Sequence, residues 1–121
     1  MSIIGFDHVQ LAMPRGEESA ARDFYVALLG LTELSKPAEL SKNGGAWFAC
    51  GNLQLHLGIE QDFRPAKKAH PGFRVTELDD LIVKLRGAGC QVNDDISVPS
   101  IRRAFVNDPF GNRLELVAAE S

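Results

Sequence analysis

His8-Val9-Gln10-Leu11-Ala12-Met13 and, half a chain length later, His70-Pro71-Gly72-Phe73-Arg74-Val75 open two stretches that run through the same succession of patterns. Each leads into an amphipathic segment closed by glycine, at Leu29-Gly30 in the first and at Arg86-Gly87 in the second. Each then ends on a Gly-Asn turn feeding a strand in which one polar residue sits between two leucines. The first is Gly51-Asn52 before Leu55-His56-Leu57, and the second is Gly111-Asn112 before Leu114-Glu115-Leu116. A repeat of half the chain length, unlike the many short units of a solenoid, marks a duplicated module. With 121 residues in all, halves of ~60 bury too little core to stand alone, so a single domain over 1–121 is expected. It would hold module 1 at about 3–58, module 2 at about 70–118 and a linker at 59–69.

The periods inside each copy give the elements. Residues 3 to 13 alternate, with Ile3, Val9, Leu11 and Met13 on one parity and Phe6, His8 and Gln10 on the other, as a half-buried strand does. From 17 to 29 the apolar residues Ala20, Ala21, Phe24, Tyr25 and Leu28 recur at helical steps, with acids in the first turn and Gly30 past the end. Short strand patterns follow at 31–36, 45–50 and 52–58, separated by Asn43-Gly44-Gly45 and Gly51-Asn52. The linker has neither period. A strand at 70–75 then leads to Thr76, a cap residue with Asp79 three positions on, and to a helix whose stripe is Leu78, Leu81, Ile82 and Leu85. Strands at 90–94, 101–107 and 112–118 complete the second copy, with Asp108-Pro109-Phe110-Gly111-Asn112 as the turn before the last. The class is α+β, built of two tandem βαβββ modules.

Bulk properties narrow the partners. Apolar residues at 45% and charged residues at 24% are ordinary for a soluble globular protein. A net charge of −3 gives no general attraction to nucleic acid or to an anionic membrane surface, and neither is expected as a partner. No stretch approaches the ~18 apolar residues of a membrane span. Cys50 and Cys90, with no secretory leader pattern at the start of the chain, fit reduced thiols, and a cytoplasmic location is expected.

Parity then locates the chemistry. Successive strand residues point to opposite faces, and helices cover only one of them. The apolar sets Val9-Leu11-Met13, Leu53-Leu55-Leu57, Phe73-Val75 and Leu114-Leu116 belong under the helices. The other parity carries His8 and Gln10, Gln54 and His56, His70 and Arg74, and Arg113 and Glu115. One histidine on a strand is ordinarily a surface or hydrogen-bonded group. Here all three histidines of the chain share one parity at repeat-related positions, together with Glu115. Imidazole nitrogens and a carboxylate on rigid strands are the donor set of a catalytic divalent ion, so His8, His70, Glu115 and His56 are the candidate metal ligands.

These residues, and above all the ending Asp108-Pro109-Phe110-Gly111-Asn112-Arg113-Leu114-Glu115 with the pairing of His8 and His70, resemble the vicinal oxygen chelate superfamily. That group contains glyoxalase I, methylmalonyl-CoA epimerase, fosfomycin-resistance transferases, extradiol dioxygenases and bleomycin-resistance proteins. The resemblance covers essentially the whole chain and implies a half-barrel or barrel-like mixed sheet with helices outside. It implies a divalent metal ion (Zn, Ni, Co, Mn or Fe) held by His8, His70 and Glu115. His56 stands where several members place Glu or Gln as a further ligand; ligand and cavity-lining group are both open for it. Glu115, and His56 as a second acid/base, are the implied catalytic groups, the unperturbed histidine pKa of ~6.5 suiting proton transfer. A homodimer with sites shared between chains is implied, His8 and His56 of one chain completing the site of His70 and Glu115 of the other; pairing within one chain is the alternative.

The function implied is a glyoxalase-like, metal-dependent enzyme that chelates two neighbouring oxygens of a small oxygenated substrate and stabilises an oxyanion as it forms, by isomerase, lyase or transferase chemistry. Two histidines and one carboxylate also suit an extradiol-type Fe(II) dioxygenase, although those members are usually much longer and add a catalytic His and Tyr. Tyr25 is the only tyrosine here and lies on the first helix. From a different class, a bleomycin-resistance-type protein would bind a drug or metabolite without catalysis. Arg74, Arg102, Arg103 and Arg113 are candidates for steering an anionic substrate, and Gln54 for contacting it.

Overall fold

The computed structural model describes residues 2–119. Contacts divide the described residues into two units that meet between Arg64 and Pro65. Each unit carries one four-stranded mixed sheet. In the first, β1 (His8–Met13), β2 (Thr32–Leu34), β3 (Ala46–Cys50) and β4 (Leu53–Ile59) lie in the order β1-β4-β3-β2. In the second, β5 (Gly72–Val75), β6 (Val92–Asp95), β7 (Arg103–Asn107) and β8 (Arg113–Ala118) lie in the order β5-β8-β7-β6. The opening strand of each unit runs parallel to the last and the other pairings are antiparallel, so the duplication read from the sequence is also a duplication of topology.

In the first unit the helix is α1 (Glu18–Arg22), continued without a break by a π-helical stretch over Asp23–Leu28. The sequence period predicts a plain α-helix over 17 to 29; the difference has a packing cause. Phe24 and Tyr25 are neighbours, and both are buried. The wider turn, bonded from Leu29 N–H to the Phe24 carbonyl at 2.9 Å, advances less per residue and keeps both rings on the inward side. Tyr25 stacks on Phe48 of β3, ring centres 5.5 Å apart, over a floor of Met13, Ala46, Leu55 and Leu57. A one-turn helix, α2 (Ala38–Ser41), sits between β2 and β3, too short to leave a period in the sequence.

The second unit buries Leu78, Ile82 and Leu85 of α3 (Leu78–Gly87) and, from the sheet, Val92, Ala104, Val106, Leu114 and Leu116. The predicted cap is not formed. Glu77, in the left-handed region at φ 54°, takes the position before α3 in place of Thr76, and no side chain caps the helix; the carboxylate of Asp79 bonds Arg102 at 2.7 Å. The Asp108–Asn112 turn is held by one buried carboxylate: Asp108 Oδ1 accepts the backbone N–H groups of Phe110 and Asn112, and Oδ2 accepts Asn112 Nδ2–H, all at 2.9 Å. Such a turn fixes where β8 begins, and with it which β8 residues face which way.

Two strand starts differ from the sequence reading. Residues 3–7 are not strand, and Ile3, Ile4 and Phe6 are exposed; in the β1–β4 register only Asp7 among them would still lie opposite a β4 residue, Leu53. His70 and Pro71 precede β5. Proline has no N–H for the ladder, although its carbonyl still accepts Glu115 N–H at 3.0 Å. Among the described residues, no helix is long and apolar enough to cross a membrane.

Candidate functional site

The helix-free faces of both sheets carry the polar residues that parity assigned to them. In the first unit, β1 and β4 pair His8 with Gln54 and Gln10 with His56, and β3 sets Trp47 opposite His56. The result is a column of rings. His56 lies on Trp47, centres 3.9 Å apart and planes 1° from parallel, and His8 stacks on its other side at 4.3 Å. His56 is only 5% exposed. Its Nε2 is 2.9 Å from Gln54 Oε1, an acceptor, so Nε2 carries the hydrogen and Nδ1 is left with its lone pair when the ring is neutral. His8 places Nδ1 2.9 Å from the Asp7 carboxylate, which leaves Nε2 outward.

Burial, and then the neighbouring His8, lower the pKa of His56 below its ordinary 6.5. An unfolded chain therefore takes up a proton at that ring before the folded one does. The stability it contributes is complete above about pH 6.5 and is lost as the pH falls through the lower folded value. In metal-free protein, the urea midpoint of wild type is expected to drop more steeply between pH 7.5 and 5.5 than that of His56→Gln. Parallel profiles would show that this ring is not held neutral.

In the second unit, Glu115 of β8 faces Phe105 across β7 and Gly72 across β5. His70 reaches it from the segment before β5. Its Nδ1 lies 2.8 Å from the Lys68 carbonyl and so donates, and its Nε2 lies 2.9 Å from Glu115 Oε1. The other oxygen of Glu115 accepts Arg103 Nη1–H at 3.2 Å, and Arg103 Nη2 lies 2.8 Å from Asp95 Oδ2. Glu115 is 15% exposed, and the His70 contact, followed by Arg103, lowers its pKa despite burial. Arg113 lies over the Phe105 ring at 4.1 Å.

Within neither unit do three or more His, Cys, Asp or Glu among the described residues gather as a complete metal cage. The pair His70 and Glu115 nevertheless has the chemistry of a ligand pair. Nε2 and Oε1 stand at an ordinary hydrogen-bond distance of 2.9 Å, near enough for one ion ~2.0–2.2 Å from each to be held by both after a small separation of the pair. Metal-bound histidines give their other ring N–H to a carbonyl or carboxylate, and His70 and His8 both have Nδ1 so placed, on Lys68 and Asp7. The donor set therefore fits a divalent ion.

The remaining residues named from sequence divide by position. Arg74 shares the Glu115 face of β5 and is exposed, with no ion-pair partner among the described residues. Arg102 lies before β7 and is engaged by Asp79 of α3 and Asp94, each at 2.7 Å, so its donors are occupied on the helix side. Its neighbour Arg103 takes the position beside Glu115. Gln54 serves His56. The sequence reading missed Asp7, Asp95 and Phe105; parity alone points to Phe105, since it alternates with the buried Ala104 and Val106.

A family model for the Glyoxalase/Bleomycin resistance protein/Dioxygenase superfamily matches residues 5–116. Among solved structures, a protein from Bacillus anthracis described as of the glyoxalase family is 48% identical, with a TM-score of 0.94 over 99% of this chain and 98% of that one. A fosfomycin resistance protein from Listeria monocytogenes (16% identical, TM-score 0.78, 98% and 95% covered) shares the fold. So does a lactoylglutathione lyase from Agrobacterium tumefaciens (18% identical, TM-score 0.73, 98% and 96% covered). None of the curated proteins compared with the chain matches it.

Proposed function

Because the chain belongs to the glyoxalase/bleomycin resistance protein/dioxygenase superfamily, we propose that it is a metal-dependent enzyme acting on a small oxygenated substrate through two neighbouring oxygens, by isomerase, lyase or transferase chemistry. The observation that carries this reading is the pairing of His70 Nε2 with Glu115 Oε1 at 2.9 Å, with Nδ1 of the same ring tied to a backbone carbonyl. The superfamily generally uses divalent metal ions. His70 and Glu115 are the ligands proposed in the second unit, and His8 and His56 the candidates in the first. A bound Zn, Ni, Co, Mn or Fe ion supplies Lewis-acid polarisation of substrate oxygen.

The side chains themselves supply the rest. Neutral His56, with Nε2–H on Gln54, has Nδ1 free to take up a proton, and Glu115 stays ionised at neutral pH to hold a cation or accept a proton at Oε1. Arg113 has no acceptor among the described residues, so its guanidinium edge is free for an anionic portion of the substrate; Arg74 is equally uncommitted. Superfamily members are commonly dimers that bind small molecules, and the assembly we propose is a homodimer with sites built from both chains. Two free thiols, Cys50 and Cys90, support a cytoplasmic location.

Metal analysis of protein purified without chelators tests the reading. A transition ion stoichiometric with the chain is expected; iron together with oxygen consumption would move the assignment to ring-cleaving dioxygenase chemistry. No metal, together with tight binding of an organic ligand, would replace catalysis with sequestration.

A further inference from the structure

The residue that sets Glu115 is not a candidate ligand but Arg103. We propose that Arg103 is a positioning residue, a two-ended clamp that pins one carboxylate oxygen of Glu115 so that the other is offered beside His70 as a single fixed donor to a divalent ion. The inference rests on the metal reading above and adds what makes Glu115 a good ligand.

The geometry is that of a fork bridging two carboxylates. Nη1 of Arg103 meets Glu115 Oε2 at 3.2 Å and Nη2 meets Asp95 Oδ2 at 2.8 Å, while Glu115 Oε1 stands 2.9 Å from His70 Nε2. Asp95 is Arg103's direct partner across β6 and β7, and its second oxygen is itself held by Ser97, from N–H at 2.9 Å and Oγ–H at 2.6 Å. The chain of contacts thus runs without a gap from a backbone amide to the candidate ligand. Arg103 is 23% exposed, and its Nε is buried with no hydrogen-bond partner. A buried donor left unpaired costs stability, so the guanidinium is aimed by its two carboxylates at the expense of its own saturation.

Arginine suits the task where lysine does not. A planar guanidinium offers parallel N–H groups that two acceptors can share, whereas an ammonium is a point charge that fixes neither direction. Asp95 also neutralises Arg103, so the clamp does not set an uncompensated positive charge against a divalent cation. Without Arg103 the Glu115 side chain is free to turn at its terminal torsion, and the oxygen facing His70 is no longer singled out. Outer-shell partners of this kind affect metal affinity by ~10–100-fold.

Titration of metal-free protein with Co²⁺ alone, followed by calorimetry and by the visible absorption of the bound ion, tests the clamp. Arg103→Met is expected to weaken Co²⁺ binding ~10–100-fold and to change the absorption envelope, which reports ligand geometry. Arg103→Lys should restore little of the affinity, Asp95→Asn should act in the same direction as Arg103→Met, and Arg86→Met, a charge removed from α3, should bind as wild type does. Circular dichroism confirms folding of each; if Arg103→Met does not fold, Arg103→Lys and Asp95→Asn decide the matter. Wild-type affinity and spectrum in folded Arg103 variants would overturn the clamp and leave the metal reading standing. Failure of wild type itself to bind Co²⁺ would overturn both.

Discussion

Replacing Glu115 with glutamine is expected to abolish metal retention while leaving the fold in place. The amide has the shape of the carboxylate, and the backbone bond from residue 115 N–H to the Pro71 carbonyl does not depend on the side chain. What disappears is the charge. A neutral amide beside His70 is a poor donor to a divalent ion, and the expected loss of affinity exceeds the ~10–100-fold typical of an outer-shell change. The stability change should be about 1–3 kcal/mol, the range for hydrogen bonds to charged groups, since Glu115 is largely buried between His70 and Arg103 while Arg103 keeps Asp95. The variant should also differ from wild type in acid. Glu115 has a folded pKa below its ordinary value, so its ion pairs contribute fully above the unfolded carboxylate pKa of ~4.3 and fade as the pH drops through the folded one. Glutamine removes that part of the acid slope. Metal analysis, with urea titrations between pH 3 and 6, checks both parts; a variant that keeps its metal at full strength would remove the proposed site.

Gly45→Ala is expected to cost about 3 kcal/mol or more, against about 1 kcal/mol for Gly51→Ala. Both glycines have positive φ, 85° and 58°, where any side chain is strained. Only Gly45 is also crowded. A methyl group there would stand 2.1 Å from the Leu57 carbonyl oxygen, a backbone atom with nowhere to go, whereas nothing lies within 4 Å of one on Gly51. The clash would push β3 from β4 where Ala46 meets Leu57, one ladder position from the Trp47–His56 pair. Chemical unfolding of the two variants side by side separates backbone strain from crowding. Equal losses would show that the β3–β4 hairpin yields more easily than its geometry implies.

Much of the fold was legible because the duplication repeats both the polar-between-leucines strand and the Gly-Asn turn, and because parity has only two values. Once Leu55 and Leu57 were assigned to the helix side, His56 had to face away, and the same step placed Glu115 between Leu114 and Leu116. Legibility stopped where one residue decides a face. Arg102 and Arg103 are adjacent, and only the start of β7 at Arg103 determines that one turns to Asp79 of α3 and the other to Glu115. Asp95 was hidden for the same reason: its use depends on its register opposite Arg103, which no local pattern records. The Thr76 cap was not to be read because α3 starts one residue later, behind Glu77 in the left-handed region, and α2, a single turn, offers no period to read.

The chain contains one tryptophan, and its indole lies flat against the His56 ring. Excited-state emission from an indole is sensitive to the electron demand of whatever it overlaps, so anything that coordinates, protonates or displaces that imidazole changes the brightness of the protein itself. The first unit thus carries an intrinsic optical label beside His56, and a change at that ring is expected to be readable in a cuvette without a dye, a tag or a known substrate.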